Sequence, residues 1–286
     1  MEFAEQLLAD GQPEQALKVL QQQVRADADD VRLRIFLFQL LAVLGQWSRA
    51  LQQLKVCGEL DASTQPMVGT YTPALHCEAL RTAVFAGRSA PHVFGPPAPW
   101  VALLVHALQL DAAGHTTQAA QARATALEQA PASAGELNGQ RFDWIADADS
   151  RLGPVLEVII NGRYGWLPFE HLRVLAIEPV SDLRDLVWVP AHLTFSNDGE
   201  TVALLPVRYA GSTETGNAAL QLARQTDWVA LAGTGAVAGG AAGDAPGQAR
   251  GLGQRLLATD TGDSALLEVR RIVLDAPAAA AAAGAG

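Results

Sequence analysis

Residues 155–168, which read VLEVIINGRYGWLP, are the clearest indication of strand structure in the second half of the chain. The apolar run Val155–Ile160 is short and is bounded by Pro154 and Asn161, a pattern typical of a β-strand. The surrounding stretch 143–209 holds three of the six tryptophans and two of the three tyrosines, beside alternating Asp and Arg. Such a concentration indicates either the core of a small strand-rich domain or a recognition surface.

Further strand signals follow the same pattern of short apolar runs between Gly, Pro, Asn or Asp. The sequence 197–199, Asn-Asp-Gly, predicts a hairpin turn, because Asp-Gly tolerates positive φ. We also predict a helical turn at 168–172, a short helix at 217–225 and a returning strand at 266–269. The predicted strands are 155–160, 173–177, 186–189, 193–195, 201–205 and 228–232. Residues 135–275 are therefore predicted to form a strand-rich α+β domain.

The N-terminal part of the chain, from position 1 to position 134, is helical and repetitive. The sequence GQPEQAL at 11–17 returns as GQWSRAL at 45–51, and a third copy fits at 114–119. The first two copies are offset by about 34 residues, the period typical of a tetratricopeptide helix–turn–helix. In each copy glycine ends the first helix and an alanine five residues later allows the second to pack closely. We predict an α-solenoid-like domain over 1–134, with one extra helix at 71–86 and a rigid proline-containing loop at 91–99.

The segment 233–253 is rich in glycine and alanine, and its first part, GTGAVAGGAAG at 233–243, is predicted to be a loop without fixed structure. The Ala/Gly tail 276–286 is predicted to be disordered. The whole chain is therefore predicted to be α+β, with a tetratricopeptide-like helical domain at 1–134 and a smaller strand-rich domain at 135–275.

Three further blocks accompany the opening stretch: DWIADADSRLGP at 143–154, DLRDLVWVPA at 182–191 and LPVRY at 205–209. In these blocks the chain resembles the ImpE (TagJ) family, accessory proteins of bacterial type VI secretion, with a similarity that extends over about 1–228. The resemblance implies a protein that binds a helix of the small contractile-sheath subunit and assists the AAA+ unfoldase that recycles sheaths.

Composition excludes several other classes of protein. The net charge of −10 argues against a nucleic-acid surface, which needs clustered cations. The first residues lack the cationic start of a signal peptide, and no apolar run reaches the ~18 residues that a membrane span needs. Two cysteines, Cys57 and Cys77, have no metal-type spacing and are predicted to be buried free thiols. We expect a cytoplasmic protein without nucleic-acid or membrane partners.

Motifs that would support catalysis, a cofactor or a metal are missing from the sequence. The acidic cluster Asp143, Asp147 and Asp149 resembles a calcium loop, but Arg151 stands where a ligand is needed. The alternative, which we favour, is an Asp–Arg network that caps a helix and pins the domain junction. Asp182, Arg184, Asp185 and Arg208 are likewise predicted to form structural pairs. We therefore predict a non-enzymatic protein with no cofactor and no metal.

A tetratricopeptide-like domain binds peptides along the face lined by the first helix of each repeat. In that register the predicted contacts with a partner are Arg32, Ile35, Gln39, Val43, Val101, Leu104 and Leu108. Trp166 and Trp188 are either core or part of a second binding patch, and we include them among the candidates. Two alternatives remain: an enzyme that uses the acidic and aromatic cluster, and a scaffold whose partner is another copy of itself.

Overall fold

The structure, a computed structural model, describes residues 2–233 and 247–276. Helices fill the first part of the chain and pack as successive antiparallel pairs. They are α1 (Glu2–Ala9), α2 (Pro13–Ala26), α3 (Val31–Val43), α4 (Trp47–Leu60), α5 (Gln65–Phe85), α6 (Pro99–Ala112) and α7 (Thr116–Gln129). A further short helix, α8 (Ala218–Gln221), lies in the second part.

The three predicted helix–turn–helix copies are confirmed. Gly11, Gly45 and Gly114 end the first helix of their pairs with φ of 75°, 70° and 81°, the left-handed region that glycine adopts without strain. The alanines five residues later, at positions 16, 50 and 119, are fully buried between the paired helices. The helix predicted at 71–86 is present as the longer α5, which begins at Gln65.

Strands form one large sheet and two small ones. The large sheet has the order β1-β6-β5-β9-β8-β7-β14-β2-β3, while β10 pairs with β11, and β12 lies between β13 and β4. The strands are β1 (His92–Val93), β2 (Gly135–Leu137), β3 (Gln140–Phe142), β4 (Ile145–Asp147), β5 (Val155–Ile160), β6 (Arg163–Pro168), β7 (Leu172–Ile177), β8 (Trp188–Phe195), β9 (Glu200–Pro206), β10 (Thr226–Ala230), β11 (Ala249–Gly253), β12 (Leu256–Thr259), β13 (Gly262–Ala265) and β14 (Arg271–Leu274).

The predicted hairpin at 197–199 connects β8 to β9, with Asp198 at φ 65°. The predicted helical turn is present as a 3₁₀ turn at Phe169–His171. Of the helix predicted at 217–225, only the single turn α8 forms.

One sequence prediction in this half was wrong, and one strand was not predicted. The segment 266–269 is a 3₁₀ turn, Leu266–Glu268, and the returning strand β14 follows it instead. No strand was predicted in the Gly/Ala-rich segment 233–253, but its last residues form β11, which pairs with β10 along its whole length. Gly251 permits this pairing, because a Cβ there would lie 2.2 Å from the ring of Tyr209. The other predictions for the Gly/Ala-rich stretches fall on 234–246 and 277–286, outside the described residues.

The proline-containing loop at 91–99 carries a strand that the sequence did not indicate. His92 and Val93 form β1, which pairs in parallel with Gly165 and Trp166 at the edge of the large sheet. Gly165 allows the approach, because a Cβ there would lie 2.4 Å from the carbonyl oxygen of His92. The helical part of the chain therefore contributes a strand to the sheet of the second part.

One apolar core runs through both parts of the chain. Leu41 and Leu75 from the helices belong to the same cluster as Val155, Trp166 and Trp188 from the sheet. A second cluster fills the far side of the sheet and contains side chains of the strand-rich part, among them Leu156, Leu205 and Ile272. The chain changes from helix to strand at Gly135, where β2 begins, but the division into two domains at 134/135 stays a prediction.

Candidate partner-binding groove

A cavity of about 540 Å³ lies between α1, α3 and the segment 180–186. The predicted partner-binding residues Arg32, Ile35 and Gln39 all line it. The other lining residues are Glu5, Leu8, Phe36, Val180, Ser181, Asp182, Leu183 and Leu186. We call this feature the α1–α3 groove. Helices α1 and α3 are the first helices of their pairs, and that this face binds a partner stays a prediction.

The groove's floor is positioned by the repeat and by a helix cap. Asp30 begins α3, and its carboxylate accepts hydrogen bonds from the backbone amides of Arg32 and Leu33 at 2.8 and 3.3 Å. Ile35 and Phe36 are half-buried on the groove side of α3, and Leu8 of α1 is buried beside them. The result is an apolar floor with exposed side chains at its margins.

The opposite wall of the groove comes from a distant part of the sequence. The amide of Gln39 donates a 3.3 Å hydrogen bond to the carboxylate of Asp182, which lies 143 positions later in the chain. Asp185 fixes the backbone there, because its carboxylate accepts hydrogen bonds at 2.9 Å from the amides of Ser181 and Asp182. Val180, at the rim, is 42% exposed. This wall has an ordered backbone but leaves an apolar side chain in solvent.

Arginines from the strand-rich part cap the C-terminal ends of both helices of the groove. Arg224 donates to the carbonyl oxygens of Leu8 and Ala9 at the end of α1, at 2.8 and 2.9 Å. Arg208 donates at 2.5 Å to the carbonyl oxygen of Val43 at the end of α3. The carbonyl oxygen of Leu8 also accepts a hydrogen bond from the amide of Gly11 at 3.0 Å. The last carbonyls of a helix lack donors within the helix, so the two cations add hydrogen bonds there and interact favourably with the helix dipole.

The prediction that Arg208 belongs to an Asp–Arg pair was wrong. Its guanidinium is buried and hydrogen-bonded to backbone carbonyls, those of Ala42, Val43 and Gln221. Burial lowers the pKa of Arg208 to about 10, which leaves it charged at neutral pH. Arg184 does pair with Asp182, whereas the carboxylate of Asp185 accepts the hydrogen bonds from the amides of Ser181 and Asp182 described above.

The remaining predicted contact residues do not lie on an accessible surface, and for these positions the prediction was wrong. Val43, Val101, Leu104 and Leu108 are at most 3% exposed, because the helix pairs bury the faces that carry them. Trp166 and Trp188 are completely buried, so the core alternative is the one that the structure supports for both. They donate hydrogen bonds to the hydroxyl of Tyr164 at 3.1 Å and to the carboxylate of Glu78 at 2.8 Å, respectively.

Beneath these tryptophans lies a buried charge network centred on Glu157 of β5. Arg81 of α5 binds both carboxylate oxygens, at 2.8 and 3.0 Å, and Arg255 forms a second ion pair. The hydroxyl of Tyr164 donates a hydrogen bond to the same carboxylate at 2.6 Å. Burial alone would raise the pKa of Glu157, but the two guanidinium groups and these hydrogen bonds lower it to about 2. The carboxylate is therefore ionised and fully paired.

Two members of the acidic cluster, Asp147 and Asp149, form the predicted pairs with arginines, whereas Asp143 is exposed and outside this network, and the cluster caps no helix. Asp149 accepts hydrogen bonds from the backbone amide and side chain of Arg151, both at 2.9 Å, in the turn between β4 and β5. Asp147 forms an ion pair with Arg255, and Arg151 lies over the ring of Phe85 with 4.6 Å between guanidinium carbon and centroid. The prediction of a helix cap was wrong, whereas the contact with α5 agrees with a role at the junction.

The groove residues Val180, Leu183 and Leu186 were not predicted from the sequence. They follow strand β7 and have no helical periodicity of their own, so no local pattern connects them to α3.

Within residues 2–233 and 247–276, no group of three or more His, Cys, Asp or Glu is arranged to hold a metal ion. None of the helices in this described part of the chain is long and apolar enough to cross a bilayer.

Comparison with known proteins agrees with this architecture. Residues 139–273 match the ImpE protein family, and residues 7–66 match a tetratricopeptide repeat family. The chain is 53% identical over 270 residues to the type VI secretion system accessory component TagJ of Pseudomonas aeruginosa, covering 94% of this chain and 90% of that protein. A crystal structure of a Vibrio parahaemolyticus protein has the same fold, with a TM-score of 0.82 at 22% identity and coverage of 95% and 97%. The chain therefore belongs to the ImpE/TagJ family.

Proposed function

We propose that the protein is a cytoplasmic, non-enzymatic accessory component of type VI secretion. In this proposal it binds a helix of the small sheath subunit in the α1–α3 groove and so assists the handling of sheaths by the AAA+ unfoldase. The observation that carries the proposal is the groove itself, an open apolar floor with an exposed rim in a chain that is 53% identical to a type VI secretion accessory component.

The groove's shape favours a helix over a small molecule. The lining residues Arg32 and Gln39 of α3 are seven positions apart, which corresponds to about two helical turns or ~10 Å along the axis. Apolar side chains at i, i+3, i+4 and i+7 of a bound helix would cover the same length. Binding would remove Val180 from water and extend the packing of Ile35 and Phe36.

The buried charge network argues against an enzyme that uses the acidic and aromatic cluster. Its carboxylates Asp147, Asp149 and Glu157 are each paired with an arginine and at most 3% exposed. A substrate would have to displace those arginines from a closed core. The network is better suited to holding α5 against the sheet than to acid–base chemistry.

Titration calorimetry with a synthetic peptide from the N-terminal helix of the small sheath subunit tests the proposal. We expect a Kd of roughly 1–10 μM, because a short helix loses conformational entropy when it becomes ordered. Val180→Arg places a charge on the exposed rim and should weaken binding at least tenfold. Val202→Arg is the matched control, since Val202 is 55% exposed and does not line the groove. Absence of binding at about 200 μM peptide, far above the expected Kd, would count against the proposal.

A further inference from the structure

The α1–α3 groove carries opposite charges at its two ends. Glu5 and Gln39 are separated by one repeat period of about 34 residues, so they occupy equivalent positions on the neighbouring helices α1 and α3. Asp182 is hydrogen-bonded to Gln39 and therefore lies at the same end. Arg32 lies seven positions earlier on α3, about 10 Å away along the helix axis.

Two of these charges are available to a ligand. Neither Arg32 nor Glu5 forms an ion pair with another residue in the part of the chain that the structure describes, and both side chains are exposed. Asp182 is shared between Arg184 and Gln39, so it adds less. Asp30 lies near Arg32 in sequence, but its carboxylate caps backbone amides and does not line the groove.

Helix dipoles favour the same orientation of a bound helix as these charges do. The C-terminal end of a helix carries partial negative charge and the N-terminal end partial positive charge. α3 begins at Val31, so its positive end lies next to Arg32. A bound helix is therefore favoured with its C-terminal end at Arg32 and its N-terminal end at Glu5, which is antiparallel to α3.

We infer that the groove is directional. It takes an amphipathic helix that runs antiparallel to α3 and carries a basic residue over Glu5 and an acidic residue seven positions later, over Arg32. Ile35 and Phe36 lie between the two charges and receive the apolar face of the ligand. This inference rests on the proposed function and specifies the chemistry of the helix that the groove accepts.

Two designed amphipathic peptides of equal length, equal composition and equal apolar stripe test the inference. One carries Lys at a central position i and Glu at i+7, and the other has these two residues exchanged. Circular dichroism confirms that the two peptides have similar helicity. We expect the Lys-first peptide to bind at least about fivefold more tightly. The other peptide meets two repulsive pairs when it lies antiparallel to α3, and it recovers the attractive pairs only by lying parallel to α3, against the helix dipoles.

Exchange of the groove charges completes the test. The double variant Glu5→Arg/Arg32→Glu should reverse the preference for the two peptides. Glu14→Arg/Lys18→Glu is the matched control, because it makes the same exchange at exposed sites on α2 outside the groove and should leave the preference unchanged. Equal affinity of the two peptides for the unmodified protein, or failure of both to bind, would overturn the inference. The proposed function fails separately, when the sheath-subunit peptide does not bind.

Discussion

Arg81 and Glu157 form a buried two-point ion pair, with nitrogen–oxygen distances of 2.8 and 3.0 Å, between helix α5 and strand β5. The two residues are 76 positions apart, and both are at most 6% exposed. The carbonyl oxygen of Arg208 accepts a further hydrogen bond from Arg81 at 2.6 Å. This pair fastens α5 to the large sheet.

Replacement of Arg81 should therefore destabilise the whole chain. Arg81→Ala leaves the Glu157 carboxylate with one of its two arginines, and we expect the free energy of unfolding to fall by ~3–5 kcal/mol. Urea unfolding followed by circular dichroism measures the change. Arg173→Ala is the control, because its pair with Asp198 is largely exposed and should contribute little. Similar losses in the two variants would show that the buried pair is not a principal contact.

Arg151 should prove structural. Its guanidinium is bound to Asp149 and packs on Phe85 of α5, so Arg151→Ala removes both contacts and leaves a buried carboxylate without its cation. We expect a decrease in melting temperature of at least ~6 °C, from a loss of ~3 kcal/mol or more in a chain of this size. Arg141→Ala, at an exposed pair with Asp275, should melt like the unmodified protein. Normal melting of Arg151→Ala combined with lost peptide binding would make the cluster functional instead.

The two thiols should be unreactive in the folded protein. Cys57 is completely buried and Cys77 is 7% exposed. Burial raises the pKa of Cys57 to about 11 and also raises the pKa of Cys77, so the nucleophilic thiolate is scarce at pH 8. A thiol-specific disulfide reagent should label neither cysteine within minutes in native buffer, whereas it should label both in concentrated urea. The absorbance of the released thiol measures the labelling. Rapid labelling of the native protein would show that the helices open readily around these sites.

Calcium, EDTA and nucleotides should leave stability unchanged. Asp147 and Asp149 are already paired with arginines, and a ligand that binds only the native state would stabilise it by RT ln(1 + [L]/Kd). Thermal scans with each additive at about 100-fold over a micromolar Kd would reveal such binding as a shift of several degrees. A reproducible upward shift with calcium would point to a cation site formed with the exposed Asp143.

The helical repeats were predictable because their signal is local. Glycine at the end of one helix and alanine five residues later recur at a fixed period, and the same register placed Arg32, Ile35 and Gln39 on a common face. Val43, Val101, Leu104 and Leu108 follow the same period but are covered by neighbouring helices. Periodicity identifies a face of a helix, whereas its exposure depends on what packs there.

The remaining features depend on contacts between distant residues. Trp166 and Trp188 fit both a core and a binding patch as sequence, with the core favoured, and the packing of α4 and α5 on the sheet buries them. Arg208 stands among aspartates in the sequence, but the fold places it at the end of α3, where its partners are carbonyl groups. Val180 lies at the groove only because Asp182 and Leu183 reach α3 from a distant part of the chain.

The capping of α1 by Arg224 has a consequence for synthesis on the ribosome. The carbonyl groups of Leu8 and Ala9, near the start of the chain, find their hydrogen-bond donor 216 and 215 positions later. The wall that carries Val180 likewise follows all of the helical repeats in the chain. A nascent chain that has emerged only as far as its repeats therefore lacks both one wall of the groove and the cation that caps α1.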